Sequence, residues 1–117
     1  MNLTESDRIR LRHMIEAAES ALEFSAGRQP TEFFTNKMLL FAVARAVEIV
    51  GEAASKVSPA GQVLMPSLPW KPMVGMRNRL VHAYFDIDAT VLWKTVSEEL
   101  PPLLAELRTL EQQSAQQ

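Results

Sequence analysis

The stretch Asn36-Lys37-Met38-Leu39-Leu40-Phe41-Ala42-Val43-Ala44-Arg45-Ala46-Val47-Glu48-Ile49-Val50-Gly51-Glu52-Ala53-Ala54-Ser55-Lys56-Val57 decides the fold. Leu39, Ala42, Val43, Ala46, Val50, Ala53 and Val57 recur at helical spacing, which predicts one long helix over 36–57 with a single apolar face. Its alanines permit close approach of a neighbouring helix. Gly51 costs about 1 kcal/mol relative to alanine inside such a helix and therefore marks a tight helix crossing.

Upstream, Thr4 with Asp7 three residues on resembles a capping box. Leu11, Met14, Ile15, Ala18, Leu22 and Ser25 then continue at helical spacing to a natural stop at Gly27. The expected first helix covers 5–26, its apolar stripe backed by Arg8, Arg10, Arg12, Glu16, Glu19 and Glu23. After Gln29-Pro30 the chain restarts at Thr31, with a short turn through Phe33-Phe34.

Downstream, residues 58–72 hold four of the seven prolines together with Gly61, the mark of a structured connection. Pro72 suits the first turn of a third helix, expected over 72–84. Asp86 or Asp88 caps the last helix, whose stripe is Leu92, Val96, Leu100, Leu103, Leu107 and Leu110. Pro101 and Pro102 interrupt it and predict a bend near Glu99, and the tail over 112–117 is expected to fray. Neither an alternating strand pattern nor an internal repeat is present. The expected architecture is all-α: one domain over 1–117, a bundle of four main helices joined by short turns.

Composition sets the class of protein. The chain has 117 residues, 47% hydrophobic and 22% charged, which is one ordinary globular domain. The absence of cysteine removes disulfides, thiol nucleophiles and Cys-based metal sites. The polar opening lacks a signal peptide's apolar centre and no window reaches the length of a membrane span, so the protein is read as cytoplasmic. His13 and His82 are the only histidines, too few for a His-rich zinc site, while carboxylate-bound magnesium stays open.

The formal net charge of −2 argues against broad adhesion to nucleic acid. Its distribution is uneven, since residues 58–82 contain Lys71, Arg77 and Arg79 and no acid. A polyanion would bind there. Within Arg77-Asn78-Arg79-Leu80-Val81-His82-Ala83-Tyr84 lie two guanidiniums, an amide, an imidazole and a phenol. Arginine offers a planar fork to phosphate oxygens, and imidazole exchanges a proton near neutral pH. Cleavage of RNA without metal needs a base for the 2'-hydroxyl, a proton donor for the leaving oxygen and a cation over the phosphate.

Residues five apart on a regular helix differ by about 140° in direction, so Arg77 and His82 would point apart, whereas Arg79 and His82 would face together. Either the arginine arm reaches round, or the helix loosens locally, or two copies meet across a twofold axis and complete one another's site.

The segment from Arg77 to Tyr84 resembles the R-x4-H-x-Y signature of HepT-like proteins, the prokaryotic HEPN ribonuclease toxins. Val50-Gly51-Glu52-Ala53-Ala54 resembles the family's glycine-glutamate-alanine segment, and Pro69-Trp70 followed by Met73-Val74-Gly75-Met76 resembles the approach to its catalytic motif. The similarity runs from about residue 7 to 110. It implies an HEPN-like homodimer that cuts RNA without metal or cofactor in a cleft at the interface. Arg77 and His82 are then the catalytic pair, and Asn78 is the polar residue that follows the arginine. The resemblance also implies a toxin-antitoxin module, in which an MntA-type nucleotidyltransferase antitoxin transfers AMP to Tyr84.

Several residues carry two readings. Glu52 orients Arg77 or Arg79 by an ion pair, or is a solvated helix glutamate. Trp70 stacks on a base, or anchors the core or a dimer interface. Lys71 and Lys94 touch phosphate, or only keep the surface soluble. His13 reads as a surface group. Beside the ribonuclease stand a noncatalytic HEPN module that binds a nucleotide or the nucleotidyltransferase, and a structural dimer whose arginines serve only interface pairs.

Overall fold

The computed structural model describes residues 1–83 and 86–115. Helix α1 (Glu5–Ser25) begins where Thr4 Oγ1 accepts the Asp7 N–H at 3.1 Å. It stops at Gly27, whose φ of +73° is the left-handed conformation that glycine adopts freely. The carboxylate of Asp7 turns across the fold, accepting from the backbone N–H (2.9 Å) and the hydroxyl (2.6 Å) of Ser58. Burial alone would raise the Asp7 pKa, but the Ser58 and Thr4 donors outweigh it and hold the carboxyl below its ordinary value. Ser58 Oγ in turn accepts the Gly61 N–H at 3.0 Å and so caps α4 (Pro59–Leu64). The carboxylate thus ties the first helix to the proline-rich connection.

The short helix α2 (Glu32–Thr35) buries Phe33, whose ring meets Trp93 edge-on at 5.2 Å between centroids. Helix α3 (Lys37–Ser55) starts at Asn36, where Oδ1 accepts the Leu39 N–H at 3.0 Å. It buries Leu39, Val43, Ala46, Val50 and Ala53 as its periodicity requires, with Ala44, Val47 and Ala54 widening the stripe. Ala42, expected on the same face, is exposed. Gly51 lies at a close crossing: a Cβ there would stand 2.7 Å from the carbonyl oxygen of Met73.

The last helix runs α7 (Ala89–Lys94), a π-helical turn (Thr95–Glu99) and α8 (Leu100–Ala115) head to tail. The widened turn falls where a bend was expected, just before Pro101 and Pro102, which have no N–H to continue an α-helical ladder. All six leucine and valine positions of its stripe are buried. The helix continues to Ala115 rather than fraying after Glu111, because Ser114 is buried and its hydroxyl accepts from Arg8 Nε at 3.2 Å. Helix α1 packs along α3 on one side and α8 on the other, and the core lies among these three.

Two expectations are corrected. The fold is mostly helical but not all-α, since β1 (Val81–Ala83) pairs antiparallel with β2 (Asp86–Ile87). The third helix over 72–84 does not form; in its place stand α5 (Trp70–Val74), α6 (Met76–Leu80) and then β1. Three long helices therefore replace the expected four. Gly75 separates the two short helices, and the Leu80 carbonyl accepts the Asp88 N–H at 2.7 Å, a bond that closes the ribbon. No helix among the described residues is long and apolar enough to cross a membrane.

Candidate functional site

The basic segment is positioned by three apolar pegs. Met73, Met76 and Leu80 are buried, so Arg77, Asn78 and Arg79 are left at the surface. The close crossing at Gly51 sets how near α5 sits to α3, and hence where α6 begins. Trp70 is half-buried against the core and its indole N–H donates to the Met65 carbonyl at 3.0 Å, which pins the loop entering α5. Lys71 and Lys94 are exposed, as is His13.

Arg77, Arg79 and His82 each meet one carboxylate, and each carboxylate comes from a different part of the fold. Arg77 Nε lies 3.4 Å from Glu48 Oε2 on α3. Arg79 reaches both carboxylate oxygens of Glu99, at 3.3 Å. On the ribbon, His82 Nε2 lies 3.4 Å from Asp88 Oδ2. Asp88 also caps α7, where Oδ1 accepts the Val91 N–H at 3.0 Å. That backbone N–H, with a smaller contribution from His82, holds the Asp88 carboxyl below its ordinary range against the cost of partial burial.

Arg77 and His82 have side chains 51% and 57% exposed, enough to meet a large ligand. Arg77 approaches Glu48 most closely through Nε, which leaves its two terminal nitrogens farther from that carboxylate. They form the half of the guanidinium that forks onto phosphate. The helix ends at Leu80, between the two residues, so helical angles do not govern their relative direction. Among the described residues no hydrogen bond joins Arg77 to His82 directly. Tyr84 lies outside the described residues.

Glu52 does not pair with Arg77 or Arg79. It binds Arg45 at 2.8 Å, and Glu48, one turn earlier on α3, takes Arg77. Arg45 also approaches Glu48 at 3.7 Å, so Glu52, Arg45, Glu48 and Arg77 form a chain of alternating charge. Sequence reasoning missed Glu48 altogether and saw in Asp88 only a helix cap. The available signal for Glu48 was its place on the polar face of α3, shared with Arg45 and Glu52 at spacings of three and four.

The fold and the site define a small, mostly helical domain presenting two exposed arginines and an exposed histidine, each held by a carboxylate. The profile of the family described as "Ribonuclease HepT-like" matches residues 14–110. A protein of Methanocaldococcus jannaschii named "Putative RNase" is 43% identical over 94 residues, covering 80% of this chain and 86% of that protein. A "Probable ribonuclease HepT" of Thermococcus cleftensis is 41% identical over 100 residues, covering 86% and 91%. The chain belongs to the ribonuclease HepT-like family. No solved structure matches it.

Proposed function

We propose that the protein is a metal-independent endoribonuclease whose reaction is carried by Arg77 and His82. The observation that carries this reading is that both side chains of the R-x4-H pair are exposed at the surface, each beside a single carboxylate. His82 takes the proton of an RNA 2'-hydroxyl, which attacks the adjacent phosphorus while the 5'-oxygen leaves. The terminal nitrogens of Arg77 receive the charge that grows on the phosphoryl oxygens. Asn78 and Arg79 border the same phosphate path, with Lys71 extending it. The products are a 2',3'-cyclic phosphate and a 5'-hydroxyl.

The protein acts as a homodimer in this reading. Support comes from α3, where Met38 (85% exposed) and Phe41 (45% exposed) precede Arg45 and Glu48 at helical spacing. An apolar stripe of this kind is costly to leave in water. It leads directly to the partner of Arg77, so a second copy seated on it brings two basic sites together, and the second imidazole supplies the leaving oxygen's proton.

As a toxin, the protein is neutralised by an MntA-type nucleotidyltransferase that transfers AMP from ATP to the hydroxyl of Tyr84, releasing pyrophosphate. The added phosphate places bulk and negative charge two residues from His82, repelling RNA. RNA affinity measured before and after modification should fall; unchanged affinity defeats this account.

The test of the activity is incubation of purified, unmodified protein with total RNA in EDTA, alongside His82→Ala. Wild type should cleave and leave 2',3'-cyclic ends, and the variant should not. A wild-type protein that leaves a broad RNA panel intact overturns the ribonuclease reading in favour of a binding module.

A further inference from the structure

The pair formed by His82 and Asp88 is more constrained than a surface ion pair needs to be. Asp88 is held at three points: its N–H donates to the Leu80 carbonyl at 2.7 Å, its carbonyl accepts the Leu92 N–H at 2.9 Å, and its Oδ1 accepts the Val91 N–H at 3.0 Å. On the other side, Val81 pairs with Ile87 and Ala83 with Asp86, so His82 is the extra residue at an irregularity between two paired positions, where a bulge re-aims a side chain. Only Oδ2 remains, and it lies 3.4 Å from His82 Nε2. An ionised carboxylate can only accept hydrogen bonds, so the ring nitrogen facing it must carry a proton.

We infer that Asp88 is a positioning residue that holds the neutral His82 ring with its proton on Nε2, leaving the lone pair of Nδ1 directed away from Asp88 to act as the base. This rests on the ribonuclease reading above and assigns the nitrogen that does the work. The cap makes the arrangement effective. A freely rotating carboxylate would lose side-chain entropy on holding the ring, whereas this one is already fixed by the start of α7. The same carboxylate thus starts a helix with one oxygen and sets a tautomer with the other. Neither element alone brings Leu80, His82, Asp88 and Val91 together; the ribbon does.

The test uses two substitutions that keep the cap, because Asn and Ser are both good N-cap residues. In Asp88→Asn, Oδ1 stays on the Val91 N–H and the amide NH2 faces His82, so a donor meets Nε2 and the proton is driven to Nδ1. In Asp88→Ser, the side chain is too short to reach the ring. The ring nitrogens of His82 are followed by 15N NMR in the full-length protein without RNA, and cleavage kinetics are measured separately.

The wild type should show the Nε2–H tautomer and Asp88→Asn the Nδ1–H tautomer, with melting temperatures within a few degrees of each other. The kcat of Asp88→Asn should fall roughly tenfold to a hundredfold, no more than the lower end of the 10²–10⁴ that a general base supplies, with KM changed less than about twofold. Asp88→Ser should lose activity without inverting the tautomer. An unchanged tautomer in Asp88→Asn, or an unchanged kcat with the tautomer inverted, overturns the inference. A wild type that shows the expected tautomer but cleaves nothing overturns the ribonuclease reading instead.

Discussion

Replacing Gly51 by alanine puts the close crossing of α3 and α5 to a quantitative test. The new Cβ would lie 2.7 Å from the carbonyl oxygen of Met73, with Met76 Cβ and the Val74 oxygen at an ordinary 3.7 Å. The offending atom is backbone, so relief requires α5 to move as a unit, and overpacking of this kind costs about 2–3 kcal/mol. Alanine returns about 1 kcal/mol through its better helix propensity. The net loss is about 1–2 kcal/mol. With an unfolding entropy of about 2.1 cal/mol/K per residue, Tm should fall by about 4–8 °C at fixed protein concentration. Urea denaturation should show a lower midpoint with an unchanged slope. Because α5 leads into α6, RNA cleavage should fall further than the folded fraction accounts for. A variant as stable as the wild type, or more so, would mean that helix propensity wins and that the crossing does not need glycine.

Other consequences of the structure can be checked separately. Asp7→Ala leaves the Ser58 N–H without its carboxylate and should cost about 2–4 kcal/mol in denaturant unfolding. Since the folded Asp7 and Asp88 carboxyls titrate below their unfolded values, their contribution is present at neutral pH and lost as pH falls below about 4. Asp7→Asn should therefore flatten the acid limb of a stability-against-pH curve, and an unaltered limb would place that dependence elsewhere. Glu48→Gln should move Tm by no more than a few degrees, since the arginine end of the pair is half-exposed and screened by solvent although Glu48 itself is only 17% exposed, yet lower kcat/KM about fivefold by freeing Arg77. Equal kcat/KM would show that Glu48 does not position it. Met38→Asp with Phe41→Asp should leave the monomer fold intact and yield a monomer in light scattering; a persistent dimer would put the interface on another face.

The long helices were legible because each carries its own instructions. Thr4, Asn36 and Gly27 mark ends through local backbone bonds, and the stripes on α1, α3 and the last helix follow from a period of 3.6. Gly51 was legible for the same reason, since glycine inside a good helix needs an explanation. The segment 72–84 was misread because its best local pattern is helical as far as Leu80, while the strand after it has too few residues to show alternation. The fate of Glu52 was misread for a geometric reason. Sequence spacing says which residues share a face of α3, but not which turn of that face lies opposite Arg77.

By itself, the sequence determined the helical class of the domain, the buried faces and the basic island without acids. All of these depend on neighbours within a few residues along the chain, where geometry is set by a repeating backbone. The tertiary structure alone decided that Glu48 rather than Glu52 meets Arg77, that Glu99 meets Arg79, and that His82 sits on a ribbon facing Asp88. These pairs join α3 to α6, α6 to the π-helical turn, and β1 to the cap of α7. Their distances follow from how whole elements pack, and a shift of one helical turn, about 5.4 Å, exchanges one partner for another.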